Sequence, residues 1–302
     1  MAAVVSGITD TDTIHIVLAC DTNYARHAAV VMSSIMATTK KSLWFHILGE
    51  NIAPDVAAKL QVLVSAQGAQ LTIYSPQLPD GMYVSDHISK AAYFRLLIGS
   101  LLPESVHRVI YLDTDLVAMA DINELWSVDL GSNIVGAVPD LGVLCSSKSM
   151  ASKRSELQLA SDALYFNSGV MLINVDKWRS EDIGAKTLAD ANSHEYRHHD
   201  QDALNHVLKG KWLPLPFRWN VIPPLFFGHF SVLWGRFGAE AKDALRHIGI
   251  FHWAGRKKPW QYALFELFNG QYYQYSDGEV AKKELPWHKK MQMRMVRMIV
   301  GE

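Results

Sequence analysis

Cysteine is nearly absent: Cys20 and Cys145 are the only two in 302 residues. Two thiols cannot build a disulfide framework or a cysteine-based zinc site, so a reducing compartment is expected. Charge of one sign is not in excess either. Lys and Arg number 29 against 30 Asp and Glu, a formal net charge of −1. That balance removes the electrostatic footprint of nucleic-acid binding. No apolar run reaches bilayer-spanning length; the longest, 221–234, is broken by Pro223, Pro224, Gly228 and His229. No Lys or Arg precedes Arg26, so the charged start of a secretory signal is missing. These absences together predict a cytoplasmic protein. A Gly-x-Gly-x-x-Gly turn and a Walker lysine are both absent after the first predicted strand, which argues against a dinucleotide site and a P-loop.

What is present is a rhythm of strands and helices. Ile14–Ala19, Leu43–Leu48 and Gln70–Tyr74 read as buried strands, with helices over Tyr24–Ala37 and Ala53–Gln67 between them. That alternation predicts an α/β domain built on a parallel sheet. A helix is expected over Ser89–Ile98 with Ser89 as its cap, and Arg95 on it stands among apolar neighbours. A buried arginine needs an anionic partner, because an unpaired buried charge is expensive, and the carboxylates of Asp113 and Asp115 or the substrate are candidates. Pro139–Ser161 is polar with little periodicity and reads as a long loop that could fold over a site. A helix is expected over Ala203–Lys209.

The stretch that organises the chain is Arg108–Ala118. Arg108–Leu112 reads as a strand, and its tip delivers Asp113 and Asp115 with Thr114 between them. Two carboxylates one residue apart offer hard oxygen ligands to one divalent cation, which keeps open positions for diphosphate oxygens. Ligands in open α/β sheets bind just outside such strand ends. Asp21 and Asn23 follow the first strand in the same way, although helix capping is an equal reading for them. His252 ends the last predicted strand, Ile248–His252, next to Gly255 and the cations Arg256, Lys257 and Lys258. An imidazole beside a glycine turn with three cations suits a metal and a phosphate. Gly169 interrupts the strand Tyr165–Asn174, a mark of close backbone approach. The adjacent His198 and His199 do not make a zinc site, since neighbours on an extended chain point apart.

Six segments in this order carry a resemblance: LACDTNY at 18–24, AAYFRL at 91–96, YLDTDLV at 111–117, YFNSGVMLIN at 165–174, HDQDALN at 199–205 and FHWAGRKKPW at 251–260. The chain resembles retaining glycosyltransferase family 8, which includes bacterial lipopolysaccharide galactosyl- and glucosyltransferases and glycogenin. The resemblance implies a nucleotide-diphospho-sugar transferase fold of the A type, with a mixed central sheet. It implies a catalytic domain over residues 1–265 and a helical, basic tail over 266–302. It implies that Asp113, Asp115 and His252 coordinate Mn²⁺, with Mg²⁺ as the alternative. Ala19, Asp21 and Asn23 would meet the uridine of a UDP-sugar, and Gly255 and Lys258 its diphosphate. Thr114 would belong to the donor site. Arg95, Asp140, Asn167, Asp200 and Gln201 would surround the donor hexose, galactose or glucose. The catalytic residues would be Gln201 and Asp200.

Retention requires either a carboxylate nucleophile or same-face attack. Gln201 is an amide and a poor nucleophile, so same-face attack is expected, with Asp200 as the one nearby carboxylate for the other route. The acceptor would be a glycan or a lipid-linked oligosaccharide. Met291, Met295, Met298 and Ile299 fall on one face of a basic tail, which suggests peripheral contact with an anionic membrane. Two other activities are weighed. A nucleotidyltransferase would want a glycine-rich loop where CDTNY stands. A self-glucosylating primer could use Tyr272, Tyr273 or Tyr275 as acceptor.

Overall fold

The computed structural model describes residues 13–78, 90–225, 235–255, 257–261, 266–277 and Met291. Nine strands are described: β1 (Thr13–Asp21), β2 (Ser42–Glu50), β3 (Gln70–Tyr74), β4 (Arg108–Leu112), β5 (Leu116–Ala118), β6 (Val135–Pro139), β7 (Phe166–Asn174), β8 (Trp212–Pro214) and β9 (Ile250–His252). Seven form one sheet in the order β3-β2-β1-β4-β7-β6-β8, and β5 pairs with β9 in a second.

Parallel pairing joins β3, β2, β1 and β4, while β7 runs antiparallel to both β4 and β6. The sheet is therefore mixed. Helices Ala25–Thr38 and Pro54–Ser65 connect the first three strands, each of which is added on one side of the last. β4 then joins the other side of β1. The strand order reverses between β1 and β4, and that reversal opens a crevice at their C-terminal ends.

The period-2 pattern of the strands divides the core between the two faces. Ile14, Ile16 and Leu18 of β1 join Ile110 and Leu112 of β4 on one face. Val17 and Ala19 join Val109 and Tyr111 on the other. Each fully buried aliphatic side chain contributes about 1.5–3 kcal/mol, so both faces are anchored before any polar group is considered.

Several sequence expectations are corrected. The segment after Lys90 is three short pieces, not one helix: Ala91–Phe94, a 3₁₀ turn at Arg95–Leu97, and Ile98–Leu101. Ser89 lies outside the described residues. Pro139–Ser161 is not a loop; it holds helices Leu141–Leu144 and Ser147–Glu156, capped by Asp140 and Ser146. The second helix buries only Met150 and Lys153, so hydrophobic periodicity could not reveal it. The helix expected from Ala203 begins at His199, which puts Asp200 and Gln201 in its first turn. Of the tail expected over 266–302, residues 266–277 and Met291 are described: Glu266–Gln274 is a helix, Met291 is exposed, and the basic stretch from Lys282 otherwise lies outside the described residues. Among the described residues no helix is long and apolar enough to cross a membrane.

Two buried histidines make the fold acid-sensitive. Burial lowers His46 to about 3, helped by neighbouring His15. Burial also lowers His27 to about 3, helped by Arg26. An unfolded histidine titrates at 6.5, so between pH 6.5 and 3 the unfolded chain binds protons that the folded one refuses. Stability is full above pH 6.5 and falls as the pH drops, by about 2 kcal/mol per histidine at pH 5. Thermal melts at pH 7.5 and pH 5 test this. His46→Gln is expected to shrink the difference by one histidine's share; an unchanged difference refutes the assignment.

Candidate active site

The site is built where β1 and β4 part. Asp113 and Asp115 leave the tip of β4, and β5 starts one residue later. β9 pairs antiparallel with β5, with Leu116 opposite His252. Trp253 N–H donates to Asp115 O at 2.9 Å and closes the end of this small sheet. Pairing with β5 thus delivers His252 to the two aspartates. Ligand atoms of Asp113, Asp115 and His252 all lie within 4.8 Å of one another, the one group among the described residues able to hold a metal ion. Nε2 of His252 is 3.1 Å from Asp115 Oδ1 and 3.8 Å from Asp113 Oδ2.

Asp115 is buried, which favours its neutral form, but Lys258 and His252 outweigh burial and hold its carboxyl well below the ordinary range. Lys258 Nζ contacts Asp115 Oδ2 directly and also donates to Trp253 O at 3.1 Å. Gly255 sits nearby in the chain with φ of +97°, a conformation that L side chains rarely adopt. Asp115 therefore already has a cationic neighbour in Lys258, as expected of a carboxylate built to face positive charge.

Asp113 is held from the other side. Its Oδ1 accepts from Arg95 and from Tyr111 Oη, each at 2.9 Å. Arg95 is buried, stacks at 4.5 Å over the Tyr111 ring, and lies 3.1 Å from Asp200 Oδ2. The buried guanidinium has its anionic partners, Asp113 and Asp200. It also donates to Ala92 O and Ser168 O, which fixes its plane. Burial, with Asp113 close by, pushes the Asp200 carboxyl up to about 6 despite Arg95.

A bulge in β7 supplies the floor. Ala137 pairs with Met171 but Val138 pairs with Asn167, so Ser168, Gly169 and Val170 have no partner on β6. Such a bulge re-aims side chains locally. A Cβ at Gly169 would overlap His252 Cε1 and stand 2.7 Å from Asp113 Oδ2 and 3.0 Å from Asn167 Oδ1. Gly169 O also accepts from Asp113 N at 2.9 Å, so the backbone cannot retreat. Gly169→Ala is expected to displace Asp113 or His252, to cost about 1–3 kcal/mol, and to weaken divalent-cation affinity about tenfold or more. Calorimetric Mn²⁺ titration and thermal melting check it; wild-type affinity would contradict it.

Beyond the aspartates, the buried Asp140 and Asn167 and the half-buried Gln201 form one polar cluster. Asp140 Oδ2 accepts from Asn167 Nδ2 at 3.2 Å and from Gln201 Nε2 at 3.0 Å. Gln201 also donates to Tyr165 Oη, which in turn donates to Asp202 Oδ1 at 2.7 Å. Asp202 pairs with Lys153 at 2.6 Å, so the helix Ser147–Glu156 anchors the cluster from behind. At the end of β1, Asp21 Oδ1 accepts from Tyr24 N at 2.8 Å in the turn ahead of the next helix, whose N-cap, Tyr24, has no side-chain cap bond. Asn23 and Tyr24 are exposed beside it, and Tyr24 meets the Trp260 ring edge-on at 5.7 Å. Ala19 is buried inside β1, while Thr114 is buried between the two aspartates.

Sequence reasoning missed Tyr24, Tyr111, Lys153, Tyr165, Asp202 and Asn220. Alternation along β4 puts Tyr111 on the same face as Asp113, a signal that was available. Nothing local marks Lys153 or Asn220. Tyr272 is buried and bonded to His27 Nδ1 at 2.6 Å, and Tyr273 donates to Pro259 O, so both hydroxyls are used in packing.

The mixed sheet with a switch point and a paired-aspartate and histidine cluster at its strand ends is, with the matches that follow, that of a glycosyltransferase of the A-type nucleotide-diphospho-sugar fold. The family model for glycosyl transferase family 8 matches residues 15–263, and the chain belongs to that family. It is 30% identical over 274 residues to general stress protein A of Bacillus subtilis, covering 86% of this chain and 92% of that one. It is 26% identical over 289 residues to the lipopolysaccharide 1,2-glucosyltransferase of Escherichia coli, covering 93% and 81%. The solved structure of the galactosyltransferase LgtC in complex with donor and acceptor sugar analogs superposes with a TM-score of 0.73 at 24% identity, covering 92% of this chain and all of that one.

Proposed function

We propose that this glycosyltransferase moves galactose or glucose from a UDP-sugar to a glycan or lipid-linked oligosaccharide, with retention of configuration and dependence on a divalent cation. The observation that carries the reading is the convergence of Asp113, Asp115 and His252 at the switch point of a family 8 chain. The donor set fits a divalent ion: two carboxylates and one imidazole suit Mn²⁺ somewhat better than oxygen-loving Mg²⁺. When bound, such an ion supplies positive charge against the diphosphate as UDP leaves.

The chain's own residues do the rest. Asp21, Asn23 and the backbone near Ala19 receive the uridine, and the exposed Tyr24 ring offers its base a stacking face. Lys258, now on Asp115, turns to the diphosphate together with the Gly255 backbone and offsets its growing charge. Thr114 sits in the same turn. Arg95, Asp140, Asn167, Asp200 and Gln201 surround the hexose. In the reaction the anomeric C–O bond to phosphate breaks, its electrons leave with UDP, and the acceptor oxygen bonds to the same face. The acceptor's proton passes to the departing phosphate oxygen.

The polar surroundings favour same-face attack over a covalent intermediate. Asp200 is buried and its carboxylate is engaged by the Arg95 guanidinium, which ties it down as a nucleophile. Asp202 is spent on Lys153 and Tyr165. Gln201 then supports the positive charge developing on the sugar. A glycosyl adduct on Asp200 in intact-protein mass spectrometry would refute this route.

UDP release from UDP-galactose and UDP-glucose, with Mn²⁺, with Mg²⁺ and with EDTA, tests the whole reading. Water serves as a slow acceptor. Release from one donor that disappears with EDTA supports it, and release insensitive to EDTA rejects the cation's role. The similarity to a lipopolysaccharide glucosyltransferase supports a lipid-linked acceptor. The basic tail would bring the enzyme to it. Anionic liposomes should then lose the protein when residues 286–302 are removed.

A further inference from the structure

Two adjacent backbone N–H groups of the β7 bulge face the side-chain amides of the site. Gly169 N–H donates to Asn167 Oδ1 at 3.0 Å, and Ser168 N–H donates to Gln201 Oε1 at 3.1 Å. A backbone N–H can only donate, so it decides which end of each amide faces it. Asn167 therefore turns its nitrogen away, toward Asp140, and Gln201 does the same.

The consequence runs further on the Asn167 side. Its oxygen, fixed by Gly169, also accepts from Asn220 Nδ2 at 2.8 Å. An acceptor on that side forces the Asn220 amide to present its nitrogen there and its oxygen to the opposite side. That oxygen lies 2.9 Å from His252 Nδ1. Nδ1 must then carry a proton, which leaves Nε2 as the imidazole's one nitrogen available as a ligand, and Nε2 is the atom facing Asp113 and Asp115. Asn220 is held rigidly for this task. It ends the 3₁₀ turn Phe217–Asn220, Val221 N donates to Ile250 O at 3.0 Å, and His252 N donates to Val221 O at 2.9 Å.

We propose that Asn220 is a positioning residue that sets the tautomer of His252, and that the backbone N–H of Gly169 dictates it through Asn167. The inference rests on the cation-site reading for its purpose, but its hydrogen-bond direction stands on geometry alone. An acceptor that holds the remote nitrogen of a ligating histidine commonly changes metal affinity by about 10–100-fold when removed. No feature of the sequence around Asn220 suggests such a role.

The test uses the full chain with ¹⁵N-labelled histidine. Nδ1 of His252 is expected to be protonated in the metal-free protein and to stay so after addition of Cd²⁺, a diamagnetic ion, which should bind Nε2. A bare Nδ1, or Cd²⁺ on Nδ1, overturns the proposal. In parallel, Asn220→Leu is expected to weaken Mn²⁺ about 10–100-fold by electron paramagnetic resonance titration, with a folded protein and loss of the fixed Nδ1 proton signal. Wild-type affinity in a folded Asn220→Leu protein also overturns it. Should that variant not fold, the wild-type spectrum decides. If wild type binds neither ion, the cation-site reading fails, while the metal-free spectrum still judges the tautomer.

Discussion

Asp115→Asn is expected to lower sugar transfer by about a thousandfold or more while leaving the melting temperature within a few degrees of wild type. The carboxylate is the point where Lys258 and His252 meet, and its charge is held ionised by both. An amide of the same shape keeps the packing but removes the negative charge that a divalent ion requires. Loss of preorganised electrostatic stabilisation at a leaving group costs about 10²–10³ for one donor, and a lost ligand removes the ion's contribution as well. Lys258 also loses its resting partner. UDP release at saturating donor and Mn²⁺ is the measurement, with calorimetric Mn²⁺ titration beside it. Activity within tenfold of wild type would show that Asp115 is structural and that the cation, if any, sits elsewhere.

Arg95→Met should be the most destabilising change in the site, at about 3–5 kcal/mol at pH 7.5, or a fall in melting temperature of about 5–8 °C. Methionine fills much of the volume and leaves the Tyr111 ring covered. What it removes is the one guanidinium that faces both Asp113 and Asp200, so two buried or half-buried carboxylates are left facing each other. The pH dependence identifies the cause. Asp200 already titrates near 6 in the fold against 3.8 for a free aspartate, so its folded value is raised. Protonating it therefore favours the folded state as the pH falls through 6, and without Arg95 that gain becomes larger. The deficit of Arg95→Met should shrink between pH 7.5 and pH 5.5. A deficit independent of pH would mean that lost packing, not unpaired charge, is responsible.

Much of the site was legible because its chemistry is carried by short local patterns. Asp113-Thr114-Asp115 at a strand tip and His252 before a glycine turn each announce themselves within a few residues. Arg95 was legible for a different reason: a guanidinium in an apolar stretch demands an anion. The demand for a partner could be read, and the carboxylates after β4 were candidates for it; Asp113 is such a partner, while Asp200 could not be read. Asp113 and Asp200 are separated from Arg95 by 18 and 105 positions, and only the sheet brings all three together.

The helix Ser147–Glu156 was illegible on principle. Sequence periodicity detects apolar faces, and this helix anchors itself by burying a lysine against Asp202. Asn220 was illegible for a related reason, since its role is the direction in which its amide points. That direction is imposed by a backbone N–H on a distant strand.

By itself, then, the chain's sequence determined the α/β rhythm, the strand ends that carry acid and imidazole, and the resemblance that family membership bears out. These follow from local periodicity and from residue chemistry, which act over a few positions. Tertiary structure alone decided that β5 pairs with β9, that the β7 bulge leaves room for no side chain at Gly169, and that Arg95 is shared between two carboxylates. Those outcomes depend on strand register and on the direction of hydrogen bonds between elements far apart in sequence. Register and hydrogen-bond direction exist only once the sheet has closed.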